Sequence, residues 1–123
     1  MANPFVHVEL NTGDLPTAKK FYGSLFGWEL KDMPMPGGGG NYTMISVGEG
    51  TGGGMMSNLP PNTPPHWMAY VGVDDVRAMT NRAKELGATV LQDVLQVGEY
   101  GQMSVIRDPT GAVVAMWQNK AGN

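Results

Sequence analysis

At 123 residues the chain is long enough for one domain with a hydrophobic core of its own. No run of about 18 apolar residues occurs and no basic stretch leads into an apolar one, so neither a membrane span nor a secretory leader is expected. The net charge of −3, with both signs scattered, argues against nucleic-acid binding, and the absence of cysteine excludes disulfides and thiolate metal sites and agrees with a cytoplasmic setting.

The first element is Val6-His7-Val8-Glu9-Leu10. Its alternation predicts a strand over residues 5–10, with Val6, Val8 and Leu10 on one face and His7 and Glu9 on the other. Asp14 then reads as a helix N-cap, with Pro16 in the first turn, where its missing N–H costs nothing. Leu15, Ala18, Tyr22 and Leu25 fall at i, i+3, i+7 and i+10, a helical stripe that Phe21 and Phe26 widen until Gly27 ends it. Residues 28–31 alternate as a strand, and the prolines at 34 and 36 with the glycines at 37–40 predict a loop. A phosphate-cradling loop is not indicated, because the residues that follow, 42–47, read as a strand and not a helix. A turn over 48–50 leads to a glycine-rich strand ending in Met55 and Met56. Residues 58–65 hold four prolines and predict a stiff crossover.

The pattern then restarts. Residues 67–73 are an apolar strand, Asp74-Asp75 caps a helix with the stripe Val76, Met79, Ala83 and Leu86, and Gly87 stops it. A strand over 88–91, a loop over 94–99, a strand over 100–107, a tight turn at Asp108-Pro109-Thr110-Gly111 and a last strand over 112–118 complete the chain. A shift of 61 residues lays Asp14 on Asp75, one helix stripe on the other, and Gly50 on Gly111; the glycines closing the helices, Gly27 and Gly87, slip by one. Each half reads β-α-β-β-β. The predicted fold class is α+β, with two βαβββ modules forming a curved, cup-shaped mixed sheet with the helices outside. The modules take residues of about 4–57 and 66–119 within a single domain. A ferredoxin-like β-α-β-β-α-β domain needs fewer strands than this count.

In this order the motifs resemble the vicinal oxygen chelate superfamily, the group of glyoxalase I, bleomycin-resistance proteins and extradiol dioxygenases. The carrying residues are His7-Val8-Glu9-Leu10, Gly13-Asp14-Leu15, Phe21-Tyr22 and Leu25-Phe26-Gly27-Trp28 in the first half. In the second they are Tyr70-Val71-Gly72-Val73-Asp74-Asp75-Val76, Glu85-Leu86-Gly87-Ala88 and Arg107-Asp108-Pro109-Thr110-Gly111-Ala112. The resemblance implies metal ligands from the first and last strand of each half. His7 matches the first such position, but Gly54, Met68 and Ala115 match the others, and none of these is a hard donor. His66 is a remote alternative, about 7 Å along the strand from Met68. Three protein ligands are the usual minimum for a catalytic zinc, so the expected site carries no metal cofactor and glyoxalase I activity is not indicated. A rearranged set of His7, Glu9 and His66 would be chemically adequate for iron.

By alternation the cup-facing set is His7, Glu9, Met68, Tyr70 and Trp117, with Tyr42, Met44 and Met103 from the middle strands. This is the make-up of a small-molecule pocket. Two functions follow. One is a metal-independent binding module whose aromatic and methionine side chains hold a small organic molecule. The other is a lyase or isomerase in which His7, with Glu9, is a general base on an activated C–H. A third possibility is a regulatory protein whose cup is filled by its own side chains. The plainer readings are a histidine satisfied by a backbone carbonyl, a partly exposed Glu9 in an ion pair, a core role for Met68 and Tyr70, and a dimer contact for Trp28 and Trp117. The ten methionines read either as core filler or as pocket lining. The resemblance also implies a homodimer.

Overall fold

The computed structural model describes residues 2–35 and 40–120; most of the glycine loop expected over 37–40 lies outside the described residues. The first module is β1 (Phe5–Asn11), α1 (Leu15–Phe26), β2 (Glu29–Pro34), β3 (Asn41–Ser46) and β4 (Gly53–Met56). The second is β5 (His66–Gly72), α2 (Val76–Glu85), β6 (Thr89–Val97), β7 (Gly101–Arg107) and β8 (Val113–Asn119). The strand order is β2-β3-β4-β1 in the first module and β6-β7-β8-β5 in the second. In each, first and last strands run parallel and the other neighbours antiparallel. The α+β class and the two βαβββ modules are as the sequence reads; eight strands among the described residues exceed a ferredoxin-like count. By compactness the chain divides into one unit of residues 7–68 and another that takes the residues before His7 together with those from Ala69 on. In the latter, the Gly72 N–H donates to the Pro4 carbonyl at 2.8 Å.

The repeat reaches atomic detail. Glu9 lies opposite Gly54 and Tyr70 opposite Ala115, while Met44 and Val105 face the same two residues from the other side. All these pairs are related by the same shift of 61 residues. Gly50 and Gly111 carry φ of 104° and 103°, a left-handed turn that a side chain would strain. The slip at Gly27 and Gly87 persists into the next strand, where Glu29 faces Ser46 but Thr89 faces Arg107. Both N-caps form as expected: the Asp14 carboxylate accepts from the Thr17 N–H at 3.1 Å and Asp75 from the Ala78 N–H at 3.0 Å. Gly27, at φ 69°, ends α1.

Each helix covers one face of its own module. Leu10, Ile45 and Met55 form the first core under Leu15, Ala18 and Tyr22; Val73, Val76, Ile106 and Met116 form the second under Met79 and Ala83. The stripes are shorter than the periodicity predicts. Leu25, Phe21 and Phe26 are each more than half exposed, as is Leu86, the residue that follows α2. Tyr22 is the last α1 residue to reach the core. Beyond it, Phe26 packs on Trp28 at a ring separation of 4.9 Å, and Trp67 meets Tyr22 edge-on at 5.3 Å. Thr80, outside the expected stripe, is fully buried: its hydroxyl donates to the Val76 carbonyl at 2.6 Å and lies 2.8 Å from Ser104 Oγ.

The loop expected over 94–99 is also corrected. Residues 89–97 form one long strand with register shifts between Val90 and Gln92 and between Gln92 and Leu95. Such irregularities break strict alternation and so hide a strand from a period-two reading. The turn at 108–111 forms as predicted, the Asp108 carboxylate accepting from the Thr110 and Ala112 N–H groups at 2.8 and 3.0 Å. These bonds, led by the one from the Thr110 hydroxyl, hold the Asp108 carboxyl below the usual carboxylate range. No helix among the described residues is long and apolar enough to cross a membrane.

Candidate functional site

The face of the first module away from α1 carries the polar chemistry. Alternation along β1 sends Leu10 to the helix and His7, Glu9 and Asn11 to the opposite face; alternation along β3 sends Thr43 and Ile45 to the helix side and Tyr42 to that same opposite face. Tyr42 then bridges the two acidic and basic groups. Its hydroxyl donates to Glu9 Oε2 at 2.8 Å and lies 2.7 Å from His7 Nε2, and the two rings stack with centroids 6.1 Å apart. The Asn11 amide donates to Glu9 Oε1 at 3.2 Å. Glu9 is 6% exposed, so the expectation that it is partly exposed is overturned. Its carboxylate accepts from a phenol and an amide, partners of the kind that a buried charge requires.

Gly54 explains why Tyr42 fits. A Cβ on Gly54 would lie 2.0 Å from the Tyr42 hydroxyl and 2.1 Å from its ring, so the phenol fills the volume a side chain there would take. The sequence reading expected Tyr42 on the same face as His7 and Glu9, where the structure has it. Its bonds to residues 33 and 35 positions away were missed, and glycine at position 54, inside a strand, was the available signal of close approach.

Burial lowers the His7 pKa from its ordinary 6.5, and the Glu9 charge raises it by less. The folded chain therefore binds fewer protons than the unfolded one between that depressed value and about 6.5. Fewer protons in the folded state mean that stability falls as pH drops through this window. We expect the urea midpoint of the wild type to decrease between pH 7.5 and 5.5, and this decrease to shrink in His7→Gln. Equal slopes in both proteins would rule out His7 as the source. The depressed carboxylates of Asp14, Asp32, Asp93 and Asp108 act at lower pH and do not interfere.

Met44 shares this face at 40% exposure, and Met68 is 8% exposed on β5. The second module gathers the other expected residues on its own face away from α2. The Tyr70 hydroxyl lies 4.0 Å from Met103 Sδ, Met103 is the cross-strand partner of Trp117, and Tyr70 that of Ala115. The Trp117 ring lies over Gly101, as Tyr42 lies over Gly54, and its indole N–H donates to Asn119 at 2.7 Å. The shift of 61 residues carries Glu9 and Tyr42 onto Tyr70 and Met103. The same two sheet positions thus touch in both modules, polar in one and apolar in the other.

The positions that the resemblance assigns to metal ligands do not fit a hard divalent cation. Gly54 has no side chain and its space holds Tyr42, Ala115 is fully buried, and Met68 offers a thioether. His66, the remote alternative, lies 2.9 Å through Nδ1 from the Pro64 carbonyl. Among the described residues no three His, Cys, Asp or Glu side chains cluster as metal ligands.

Residues 5–116 match the family model of the Glyoxalase/Bleomycin resistance protein/Dioxygenase superfamily. The chain is 44% identical over 115 residues to "Putative glyoxylase CFP32" of Mycobacterium tuberculosis, covering 90% of this chain and 44% of that protein. It is 30% identical over 125 residues to the anthracycline biosynthesis protein DnrV of Streptomyces peucetius, covering 89% and 45%. It therefore spans about half the length of the curated relatives it matches. Among solved structures, hypothetical protein BH1468 from Bacillus halodurans superposes with a TM-score of 0.74 at 16% identity, covering 100% of this chain and 99% of that one. Methylmalonyl-CoA epimerase from Mycobacterium tuberculosis does so with a TM-score of 0.70 at 18% identity, covering 94% and 87%. On the family match and the shared fold, the chain belongs to the Glyoxalase/Bleomycin resistance protein/Dioxygenase superfamily.

Proposed function

We propose that the chain is a metal-independent small-molecule-binding protein of the glyoxalase/bleomycin-resistance type. The observation that carries this reading is the exchange of donors for packing groups: Gly54, Met68 and Ala115 stand at three ligand positions, while both sheet faces away from the helices keep aromatic and thioether side chains. In this reading Tyr42 and Met44 in the first module, Met68 on β5, and Tyr70, Met103 and Trp117 in the second supply apolar contact, and His7 and Glu9 orient polar groups of the ligand. The similarity to an anthracycline biosynthesis protein supports a polycyclic aromatic ligand as the first class to try. The proposed assembly is a homodimer, the partner a small organic molecule and neither nucleic acid nor membrane, and the working compartment the cytoplasm.

The bridge from His7 through Tyr42 to Glu9 favours a second reading, proton transfer on an activated C–H by a lyase or isomerase with His7 as general base. Elemental analysis of untagged protein, combined with an aromatic-ligand screen by NMR, tests the first reading. The expected result is binding without stoichiometric metal. Near-stoichiometric metal that disappears in His7→Ala would overturn it. Turnover that vanishes in His7→Ala while affinity is kept would replace it with the second.

A further inference from the structure

We propose that Tyr42 is a positioning residue: by donating its one hydroxyl proton to Glu9, it fixes His7 as the tautomer protonated at Nε2. The argument begins with proton counting. An ionised carboxylate only accepts, and Glu9 receives Tyr42 at 2.8 Å and Asn11 at 3.2 Å on its two oxygens. A phenol has a single O–H. Once that proton points to Glu9, the Tyr42 oxygen meets His7 Nε2 at 2.7 Å as an acceptor, and a short contact between two acceptors would be repulsive. The nitrogen facing Tyr42 therefore carries hydrogen, and the imidazole lone pair lies on Nδ1.

Space enforces the arrangement. Tyr42 can lie here because β4 presents Gly54, whose missing Cβ leaves room for the ring. Position 54 is also where the family resemblance expects a metal ligand. A phenol aligning a carboxylate with an imidazole thus occupies the volume that a metal-binding side chain would use. The arrangement bears on both functional readings, since it decides which nitrogen carries the hydrogen and which the lone pair, but its test requires neither metal nor ligand.

That test is the nitrogen-15 spectrum of the imidazoles at pH 7.5 in the wild type, Tyr42→Phe and Gly54→Ala, with Glu9→Gln as the electrostatic control. In the wild type His7 is expected as a single tautomer, Nε2 in the protonated range and Nδ1 in the unprotonated range. Tyr42→Phe removes the acceptor but keeps the ring, and His7 is expected to become a mixture of tautomers. Gly54→Ala leaves the phenol chemically intact but forces its ring aside, and is expected to give the same mixture. His66, bonded to Pro64, serves as the unshifted reference in each spectrum. A wild-type His7 protonated at Nδ1 alone would overturn the proposal, as would a tautomer unchanged in Tyr42→Phe. If Gly54→Ala does not fold, Tyr42→Phe decides alone. Failure of the binding or proton-transfer reading would leave these spectra unchanged, so the two failures are distinguishable.

Discussion

Gly53→Ala is expected to lower the unfolding free energy by about 4 kcal/mol, near the upper end for single substitutions. The cause is backbone against backbone. A Cβ at position 53 would lie 2.0 Å from the Val8 carbonyl oxygen and 3.0 Å from its carbon. Val8 and Gly53 are paired residues of the parallel β1–β4 ladder, so no rotamer change relieves the contact. The strands must separate, and the Val8 N–H bond to the Gly52 carbonyl, 3.2 Å long, goes with them. Urea denaturation of the wild type and variant measures the loss. Gly50→Ala is the control: at φ 104° with nothing within 4 Å, it adds strain but no collision and should cost about 1–2 kcal/mol. If the two variants lost the same amount, the steric argument would fail.

Much of this architecture was legible because it rests on local chemistry. Caps, closing glycines and alternation are written in neighbouring residues, and they gave the α+β class, both N-caps and the paired turns at Gly50 and Gly111. The shared face of His7 and Glu9 followed from alternation alone, whereas the face of Tyr42 depended on the register of a middle strand. What the sequence could not say was how far a covering element reaches. Phe21, Leu25 and Phe26 satisfy the helical period yet lie outside the core, because periodicity gives a direction and not the extent of the surface opposite. Nor could it say that Tyr42 joins His7 to Glu9. Alternation puts three side chains on one face, but contact between them depends on register, and on the space left at Gly54. Glu9 was misjudged for that reason: its burial depends on what the fold lays over it, the Tyr42 phenol from β3 beside the Asn11 amide of its own strand.

The methionines divide in the same way, and the division is measurable. Met55→Ala is expected to cost about 3 kcal/mol, within the range for truncating a buried methionine. Met55 is fully buried against Leu10 and Ile45 on the α1 side of β4, so its removal leaves a cavity that the ladder on both sides keeps open. Met44, on the neighbouring strand β3, occupies the other face. At 40% exposure on the opposite side of β3, Met44→Ala should cost less than about 0.5 kcal/mol of stability. Binding reverses the order. If the face carrying His7 and Tyr42 holds an organic ligand, loss of the Met44 thioether removes apolar contact worth about 1 kcal/mol, roughly a fivefold weakening. Met55→Ala, measured at a temperature where it remains folded, should leave affinity close to wild type. Denaturation curves and ligand titrations on the two variants therefore separate core filling from pocket lining within one residue type. Equal affinity in Met44→Ala and the wild type would remove Met44 from the proposed ligand contacts and leave His7, Tyr42 and Glu9 to carry that role in the first module.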